Sequence, residues 1–166
     1  MDEKTSQPFD MELAEHYGNL IDEGILATPM DFSGKSKILS TETEAIKILS
    51  EQEGARKTLE QELEVAIRLR TAGVNFPQAY CVHTSPNGTE MLIMDMMPKL
   101  TPYGNLNTRE RKIFDKQYAT AISKAKEHRL TPIDLSKHDN CGWDPETKKI
   151  IFYDGGSWEL NTNTKR

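Results

Sequence analysis

The sequence has few cysteines, no excess of basic charge and no long apolar run. Only Cys81 and Cys141 occur in 166 residues, without the spacing of a metal site or of a disulfide framework, as is typical of a reducing compartment. The net charge of −5 provides no basic field for nucleic acid or for a membrane surface. No apolar run is long enough to span a bilayer. We therefore expect a cytoplasmic protein whose partner is a protein or a small molecule, with no nucleic acid and no membrane partner.

The stretch Thr131–Gly156 contains polar side chains suited to binding a metal ion. Apart from the two acids of its 144–148 segment, it holds three carboxylates and one amide: Asp134, Asp139, Asn140 and Asp154. Residues 144–148 have turn composition and 150–153 form a short apolar run, so the pattern predicts a hairpin that brings Asn140 and Asp154 to one small volume. An amide oxygen and a carboxylate suit Mg²⁺, which usually also keeps waters and substrate phosphates. The pattern therefore predicts a magnesium site and a phosphate-bearing cosubstrate.

This stretch resembles the catalytic loop and the magnesium loop of the protein-kinase superfamily, H-R-D-x-x-x-x-N followed by D-F-G. Asp134 and Asn140 match the D and N with one extra residue between them, and Asp154 begins Asp-Gly-Gly in place of D-F-G. Pro132 and Ile133 occupy the places of the family's His and Arg. The resemblance implies that Asp134 orients or deprotonates the attacking hydroxyl and that Asn140 and Asp154 hold the metal.

The extra residue in this loop leaves a second acid open as the base. Asp139 lies directly before Asn140, so it is an alternative to Asp134 for contact with the hydroxyl group.

The segment Glu44–Leu49 resembles the V-A-I-K strand of kinases. Strand alternation puts Ala45 and Lys47 on the same face, so Lys47 points into a partly apolar space, where a lysine requires an anionic partner. The resemblance implies that Lys47 binds the α and β phosphates of ATP. Lys37, on another predicted strand, is the alternative.

A helical apolar pattern covers Gly54–Thr71 and ends at Gly73. In kinases the equivalent helix supplies a glutamate to the strand lysine, and the resemblance gives that place to Glu62. Glu64 is the alternative, although it lies about 200° around the helix from Glu62.

The beginning of the chain predicts a short helix at about Asp10–Tyr17, a loosely alternating segment Asn19–Met30 and a strand from Ser36 to Leu39. The middle segment resembles the loop that covers the nucleotide in kinases. Asp22, Gly24 and Ala27 would occupy the places of its three glycines, so the resemblance implies nucleotide contact at Gly24.

A second predicted hairpin has strands at Gln78–His83 and Met91–Pro98, joined through Pro-Asn-Gly. Its second strand resembles the one that leads into the kinase hinge. The resemblance implies that Met94 closes the rear of the nucleotide pocket and that backbone groups from Asp95 to Met97 meet adenine. Farther on, Asn107 and Glu110 have capping-box spacing, which predicts the start of a long helix that ends near His128.

These motifs occur in kinase order across residues 18 to 158. They predict a single α+β domain with a minimal bilobal protein-kinase-like fold. An N-terminal lobe of about 18–97 would contain a small antiparallel sheet and one long helix, and a truncated, mostly helical C-terminal lobe would cover about 98–166. Such brevity resembles the minimal effector kinases that bacteria inject into host cells, including the HopBF family.

The resemblance implies a monomeric protein serine/threonine kinase that uses ATP and Mg²⁺. It further implies secretion into the host cytosol and an Hsp90-type chaperone as the protein substrate. Two alternatives remain open. The missing His-Arg pair and the single loop glycine are compatible with a catalytically inactive kinase-like module that binds a host protein. A small-molecule phosphotransferase would have the same kind of catalytic loop and magnesium loop.

Overall fold

A computed structural model describes residues 10–24, 36–41, 44–49, 58–133 and 135–161. The fold is α+β, and the chain divides into two compact units. The described elements in chain order are α1 (Met11–Asp22), β1 (Ser36–Ser40), β2 (Glu44–Leu49), α2 (Leu59–Thr71), β3 (Ala79–Thr84), β4 (Glu90–Asp95), α3 (Thr108–Glu127), β5 (Leu130–Pro132), β6 (Cys141–Asp144), β7 (Lys149–Phe152) and β8 (Trp158–Leu160). None of the described helices combines the length and apolarity that crossing a membrane requires.

The first unit contains α1, the beginning of α2 and an antiparallel sheet with the strand order β1-β2-β4-β3. Strand β2 is therefore internal, and its residues are among the most buried of the unit. Ile46 of β2 and Ile93 of β4 pack with Tyr17 of α1 in one buried cluster. Helix α1 thus covers one face of the sheet.

Helix α1 corrects the prediction for the first residues. The predicted helix ended at Tyr17, and Asn19–Met30 was expected to be extended, but Asn19 to Asp22 form the last turn of α1. The reason is the apolar spacing of Leu13, Tyr17, Leu20 and Ile21, which lie on one helical stripe and pack toward the sheet. Residues 25–35, which include the rest of the predicted loop and Ala27, lie outside the described part of the chain.

Other predicted elements of this unit are present. Strand β2 has the predicted bounds, and β3 and β4 form the predicted hairpin around Ser85–Gly88, where the Gly88 N–H donates to Ser85 O at 2.9 Å. Helix α2 begins at Leu59, and the earlier part of the predicted helix falls at residues that are not described. Gly73 follows the helix with φ +89°, a left-handed conformation that favours glycine.

The second unit contains the rest of α2, helix α3 and two small antiparallel sheets, β5 with β8 and β6 with β7. Its core is an aromatic series that runs from helix α3 into the strands: Phe114, Tyr118, Trp143, Phe152 and Trp158. Helix α3 starts with the predicted capping box, in which Asn107 Oδ1 accepts from the Glu110 N–H at 2.8 Å and Glu110 Oε1 accepts from the Asn107 N–H at 3.1 Å. The cap fixes the entry of the helix that carries Phe114.

Candidate functional site

The central charged contact of the first unit joins Lys47 and Glu62. Lys47 Nζ lies 2.6 Å from Glu62 Oε1, and the two side chains are 6% and 5% exposed. Both residues are therefore ion-paired inside the protein. This is the contact that the strand and helix motifs predict.

The sheet explains why Lys47 is buried. Residues that face each other on antiparallel strands lie on the same side of the sheet. Lys47 is opposite Leu92 and Ala45 is opposite Met94, so these four residues share one face, while Ile46 belongs to the face covered by α1. The internal strand thus holds an ammonium group on an apolar surface, with the carboxylate of Glu62 as its counter-charge.

The structure places the two alternative residues differently. Glu64 Oε2 accepts from Arg68 Nε at 2.8 Å, and both side chains are about half exposed. Lys37 is opposite Ile48 in register, so its position on β1 belongs to the other face of the sheet from Lys47. The side chain of Lys37 lies outside the described part of the structure. The buried pair is formed by Lys47 and Glu62.

A buried ion pair adds little net stability to a sheet. Desolvation of two charges costs about as much as their attraction returns, and apolar replacements of both residues are often neutral or stabilising. Removal of one partner costs about 3–5 kcal/mol, because the other charge stays buried. Retention of such a pair is consistent with a functional role for Lys47.

Three residues were predicted to line a nucleotide pocket near the end of β4. Met94 is half-buried on the same sheet face as Lys47. Asp95 is the last residue of β4, its N–H donates to Gln78 O at 2.8 Å, and its carboxylate accepts from the Tyr80 hydroxyl. Met97 follows the strand and is half-buried. Because the Asp95 N–H is already bonded, contact with adenine would fall to other backbone groups of this segment.

Gly24 lies at the end of helix α1, with φ +70°, and its N–H donates to Ile21 O at 3.0 Å. Asp22, predicted to occupy another glycine place of the loop, accepts from the Ser85 hydroxyl at 2.8 Å and from the Asn87 N–H at 2.9 Å. Asp22 therefore fastens α1 to the β3–β4 turn. Nucleotide contact at Gly24 stays a prediction.

Asn140 and Asp154 lie at the open end of the β6–β7 hairpin in the second unit. Cys141 pairs with Phe152, and the Tyr153 N–H then donates to Asn140 O at 3.0 Å. Asn140 thus accepts the last backbone hydrogen bond at this end of the hairpin, and Asp154 is the residue after its partner Tyr153. The hairpin that the turn composition predicts is present, and a shared metal site for the two side chains stays a prediction.

Both residues have left-handed backbone conformations, with φ 64° at Asn140 and 73° at Asp154. Asn and Asp tolerate this region better than other residues with a Cβ, but single strained residues still cost of order 1–3 kcal/mol and cluster at functional sites. Asp154 Oδ1 accepts from the Gly156 N–H at 3.0 Å, which fixes the direction of the carboxylate. Backbone geometry, more than burial, orients these two side chains.

The two candidate bases precede this hairpin. Asp134 lies outside the described residues, so its position stays a prediction. Asp139 is exposed and ends a tight turn, in which its N–H donates to Ser136 O at 3.1 Å and the His138 N–H donates to Ser136 Oγ at 3.2 Å.

The turn that carries Asp139 is anchored to helix α3. Lys137 Nζ lies 3.0 Å from Asp115 Oδ1, and the His138 ring packs edge-on against Tyr103 at 5.0 Å between centroids. The hydrogen bond from Lys137 lowers the pKa of Asp115, and Asp115 raises the pKa of Lys137. Lys137 and His138, which lie within the predicted catalytic loop, are thereby held in place.

Tyr153 is a site residue that the sequence analysis missed. Burial raises the pKa of its hydroxyl, and the neighbouring Cys141, Asp139 and Asp154 raise it further. The carboxylates of Asp139 and Asp154 therefore both lie near this ring. The sequence contained one indication of this, because Tyr153 directly precedes the Asp-Gly-Gly motif.

Cys141 is buried, and its Sγ donates to Ser136 O at 3.3 Å. Burial, with a smaller contribution from Asp139, raises the pKa of the thiol to about 12. The thiol therefore stays protonated at neutral pH and holds the turn by a hydrogen bond.

The residues at the hairpin end fit a magnesium ion chemically. Asn140 and Asp154 offer oxygen atoms, the ligand type that Mg²⁺ prefers, and one or two protein ligands are its usual share beside nucleotide phosphates. Among the residues that the structure describes, no three His, Cys, Asp or Glu side chains form a metal-binding cluster. Asp134 is not among those residues.

Comparison with known proteins defines the class of fold. No family model matches the chain, and no curated protein matches its sequence. Among solved structures, the Cydia pomonella granulovirus kinase PK-1 is similar with a TM-score of 0.61 and 17% identity, over 92% of this chain and 60% of that one. WbdD, solved with the kinase inhibitor LY294002, is similar with a TM-score of 0.57 and 15% identity, over 84% of this chain and 34% of that one.

The chain therefore has a protein-kinase-like fold, as the order of its motifs predicts. It covers less than two thirds of either similar protein, so both contain substantial chain beyond the shared fold.

Proposed function

We propose that this protein is an ATP- and Mg²⁺-dependent protein kinase that phosphorylates serine or threonine. The observation that carries the proposal is the buried Lys47–Glu62 pair, at 2.6 Å, in a chain with a kinase-like fold. A lysine held on an apolar face by a carboxylate is suited to bind phosphate oxygens, since its ammonium group is held in a fixed orientation and is poorly solvated.

Each proposed site residue has a role in this activity. Lys47, oriented by Glu62, would bind the α and β phosphates, and Asn140 and Asp154 would hold Mg²⁺. Asp134 or Asp139 would orient the acceptor hydroxyl and take its proton as its oxygen bonds to the γ-phosphorus, while the bond from that phosphorus to the β–γ bridging oxygen breaks and ADP leaves.

Gly24, Met94, Asp95 and Met97 would contact the nucleotide. ATP with Mg²⁺ supplies the phosphoryl group and spreads the negative charge of the transferring phosphate.

The finer assignment rests on the resemblance to minimal bacterial effector kinases. We propose secretion into a host cell, action in its cytosol and an Hsp90-type chaperone as the substrate. The support for this class is the order of the kinase-like motifs across residues 18 to 158.

The proposal is tested with purified protein, γ-labelled ATP, Mg²⁺ and an Hsp90-type chaperone, beside Asp154→Asn. This variant keeps the shape of the side chain and an oxygen that can accept from the Gly156 N–H, but it removes the charge. We expect labelled chaperone with the parent protein and a loss of about 100-fold or more with the variant.

Glu146→Gln is the matched control, because Glu146 is an exposed acid in the turn of the same hairpin. Its rate should equal that of the parent protein. Equal labelling by the parent protein and by Asp154→Asn would reject the role of Asp154. Omission of Mg²⁺ should abolish labelling.

A second candidate is a catalytically inactive kinase-like module that binds a host protein. Its specific support is at the positions of the family's His and Arg, where Pro132 belongs to strand β5 and the Ile133 N–H donates to Ser157 O at 2.9 Å. A melting temperature that ATP and Mg²⁺ leave unchanged would favour this module. A rise without turnover would indicate a nucleotide-regulated scaffold.

A further inference from the structure

The second unit has a groove that plays no part in the proposed phosphotransfer. It has a volume of about 640 Å³ and lies where helix α3, strand β7 and the turn after α2 meet. Apolar side chains such as Ile113, Ala121 and Phe152 form part of its wall. Four lysines also line it: Lys112, Lys116, Lys124 and Lys149. We call this surface the lysine groove.

The charge of the lysine groove is opposite to that of the whole protein. The chain has a net charge of −5, yet the lining contains four lysines and no acidic residue. Lys112 and Lys116 stand four residues apart on α3, and like charges at this spacing destabilise a helix. Within the described part of the chain, neither lysine has an ion-pair partner. The groove therefore attracts negative charge.

One of the four lysines also has a structural explanation. A Cβ built on Gly73 would lie 3.6 Å from Lys124 Nζ, so this ammonium group is close to the C-terminal end of helix α2. A cation at that end is stabilised by the helix dipole. All four lysines are exposed, and Lys112, Lys116 and Lys149 are the three without this structural explanation.

The strand edge beside the groove is already hydrogen-bonded. The Ile150 N–H donates to Gln117 Oε1 at 2.9 Å, and Ile150 O accepts from Asn75 Nδ2 at 3.1 Å. The Phe152 N–H donates to Asn75 O at 2.9 Å. A ligand therefore cannot bind there as an added strand, and it must be recognised through its side chains.

We propose that the lysine groove docks an acidic peptide segment of a partner protein. Carboxylates of the segment would pair with Lys112, Lys116 and Lys149, and an apolar side chain would cover Ile113, which is 39% exposed. Single-stranded nucleic acid is less suitable, since the lining has no arginine and its one aromatic residue, Phe152, is fully buried. The proposal does not depend on phosphotransfer.

The test measures binding by fluorescence anisotropy with the full chain. The main probe is a labelled peptide of about 12 residues built from Glu, Asp and Leu. A second peptide has Ser in place of every Leu, a third probe is an oligothymidylate of equal charge, and phosphatidylserine vesicles are tested by co-sedimentation. We expect micromolar affinity for the Leu peptide, at least about tenfold weaker binding of the other probes, and weaker binding at higher salt.

The variant Lys112→Glu/Lys116→Glu should bind the Leu peptide at least about tenfold more weakly. Lys99→Glu/Lys126→Glu is its control, because it makes the same charge change at two exposed lysines that do not line the groove. This control should change the affinity by less than about threefold. Ile113→Ser should weaken binding without changing net charge.

Melting temperatures of all variants show that the groove variants are folded. The proposal is overturned if the Leu peptide does not bind, or if the two charge-reversal variants weaken its binding equally. Equal affinity for the Ser peptide or the oligothymidylate would instead indicate a nonspecific anion-binding surface. Preferential binding to the vesicles would indicate a lipid surface, and either result rejects peptide docking.

Discussion

The two units hold their proposed site residues in different ways. In the first unit, Lys47 and Glu62 are both nearly inaccessible and are positioned by the strand and helix that bury them. In the second unit, Asn140 and Asp154 are only half-buried and are oriented by left-handed backbone conformations at the end of a hairpin. The Lys47–Glu62 pair costs free energy because its two charges are removed from water. The Asn140 and Asp154 positions cost free energy because their backbone conformations are strained.

This difference predicts opposite responses to mutation. A change at the buried pair should affect folding as well as function, because any remaining charge stays inside the unit. A change at the hairpin end should affect function with little effect on folding.

The largest expected effect comes from breaking the buried pair. Lys47→Met should lower the free energy of unfolding by about 3–5 kcal/mol, since it leaves the Glu62 carboxylate buried without its counter-charge. Lys47→Met/Glu62→Leu should recover most of the loss but not nucleotide binding. Urea unfolding measures the stabilities, and calorimetric titration with ATP measures binding.

Glu64→Ala is the control for this experiment, because Glu64 belongs to an ion pair on the exposed side of the same helix. Its cost should be below about 1 kcal/mol. If Lys47→Met were no more costly than Glu64→Ala, the distinction between buried and exposed pairs would fail.

A middle-sized effect is expected at high pH in the second unit. Burial raises the pKa of Cys141 to about 12 and also raises the pKa of Tyr153. Groups whose pKa is raised on folding stabilise the protein fully below their unfolded pKa, and this contribution is lost as pH rises toward the folded pKa. Between about pH 9 and 12, the thiol of Cys141 should lower the stability by up to about 1.4 kcal/mol per pH unit. Tyr153 should add to this decline once the pH exceeds about 10.

Thermal unfolding of the parent protein and of Cys141→Ala across this pH range checks the prediction. The variant should be less stable at pH 7 but should show a shallower decline above pH 9. Parallel curves would mean that the thiol does not titrate differently in the folded and unfolded chains.

The smallest effect compares two substitutions at Asp154. Asp154→Gly and Asp154→Ala both remove the carboxylate, but only alanine places a Cβ at φ 73°. Asp154→Ala should be about 1 kcal/mol less stable than Asp154→Gly. Chemical denaturation measures this difference. Equal stabilities would show that the backbone relaxes out of the left-handed region.

The sequence predicted elements whose patterns are local. Strand β2, the β3–β4 and β6–β7 hairpins and the capped start of α3 follow from alternation, turn residues and the spacing of Asn107 and Glu110. These patterns also indicated that Lys47 needs an anionic partner. The resemblance selected Glu62, and the order of the motifs indicated the kinase-like fold.

Long-range pairings were harder to predict. Strand β8 was not predicted, and its partner β5 gave no signal, because the three residues of β5 include a proline and carry no alternation. The length of α1 was missed because a loose alternation was given more weight than the helical stripe that the sheet stabilises. Tyr153 was missed because the influence of Asp139 and Asp154 on it depends on how the hairpin closes.

The hydrogen bonds of Asn75 bear on whether the C-terminal half of the chain can fold by itself. It is 75 residues away from Ile150 in sequence, yet it closes the outer edge of β7 by hydrogen bonds through both its side chain and its backbone. A fragment that began after residue 96 would lack this cover and would expose a strand edge able to associate with other chains. The β6–β7 hairpin is thus completed by a segment that the chain contributes before the β3–β4 hairpin, so the part of the sequence after residue 96 is not a complete folding unit.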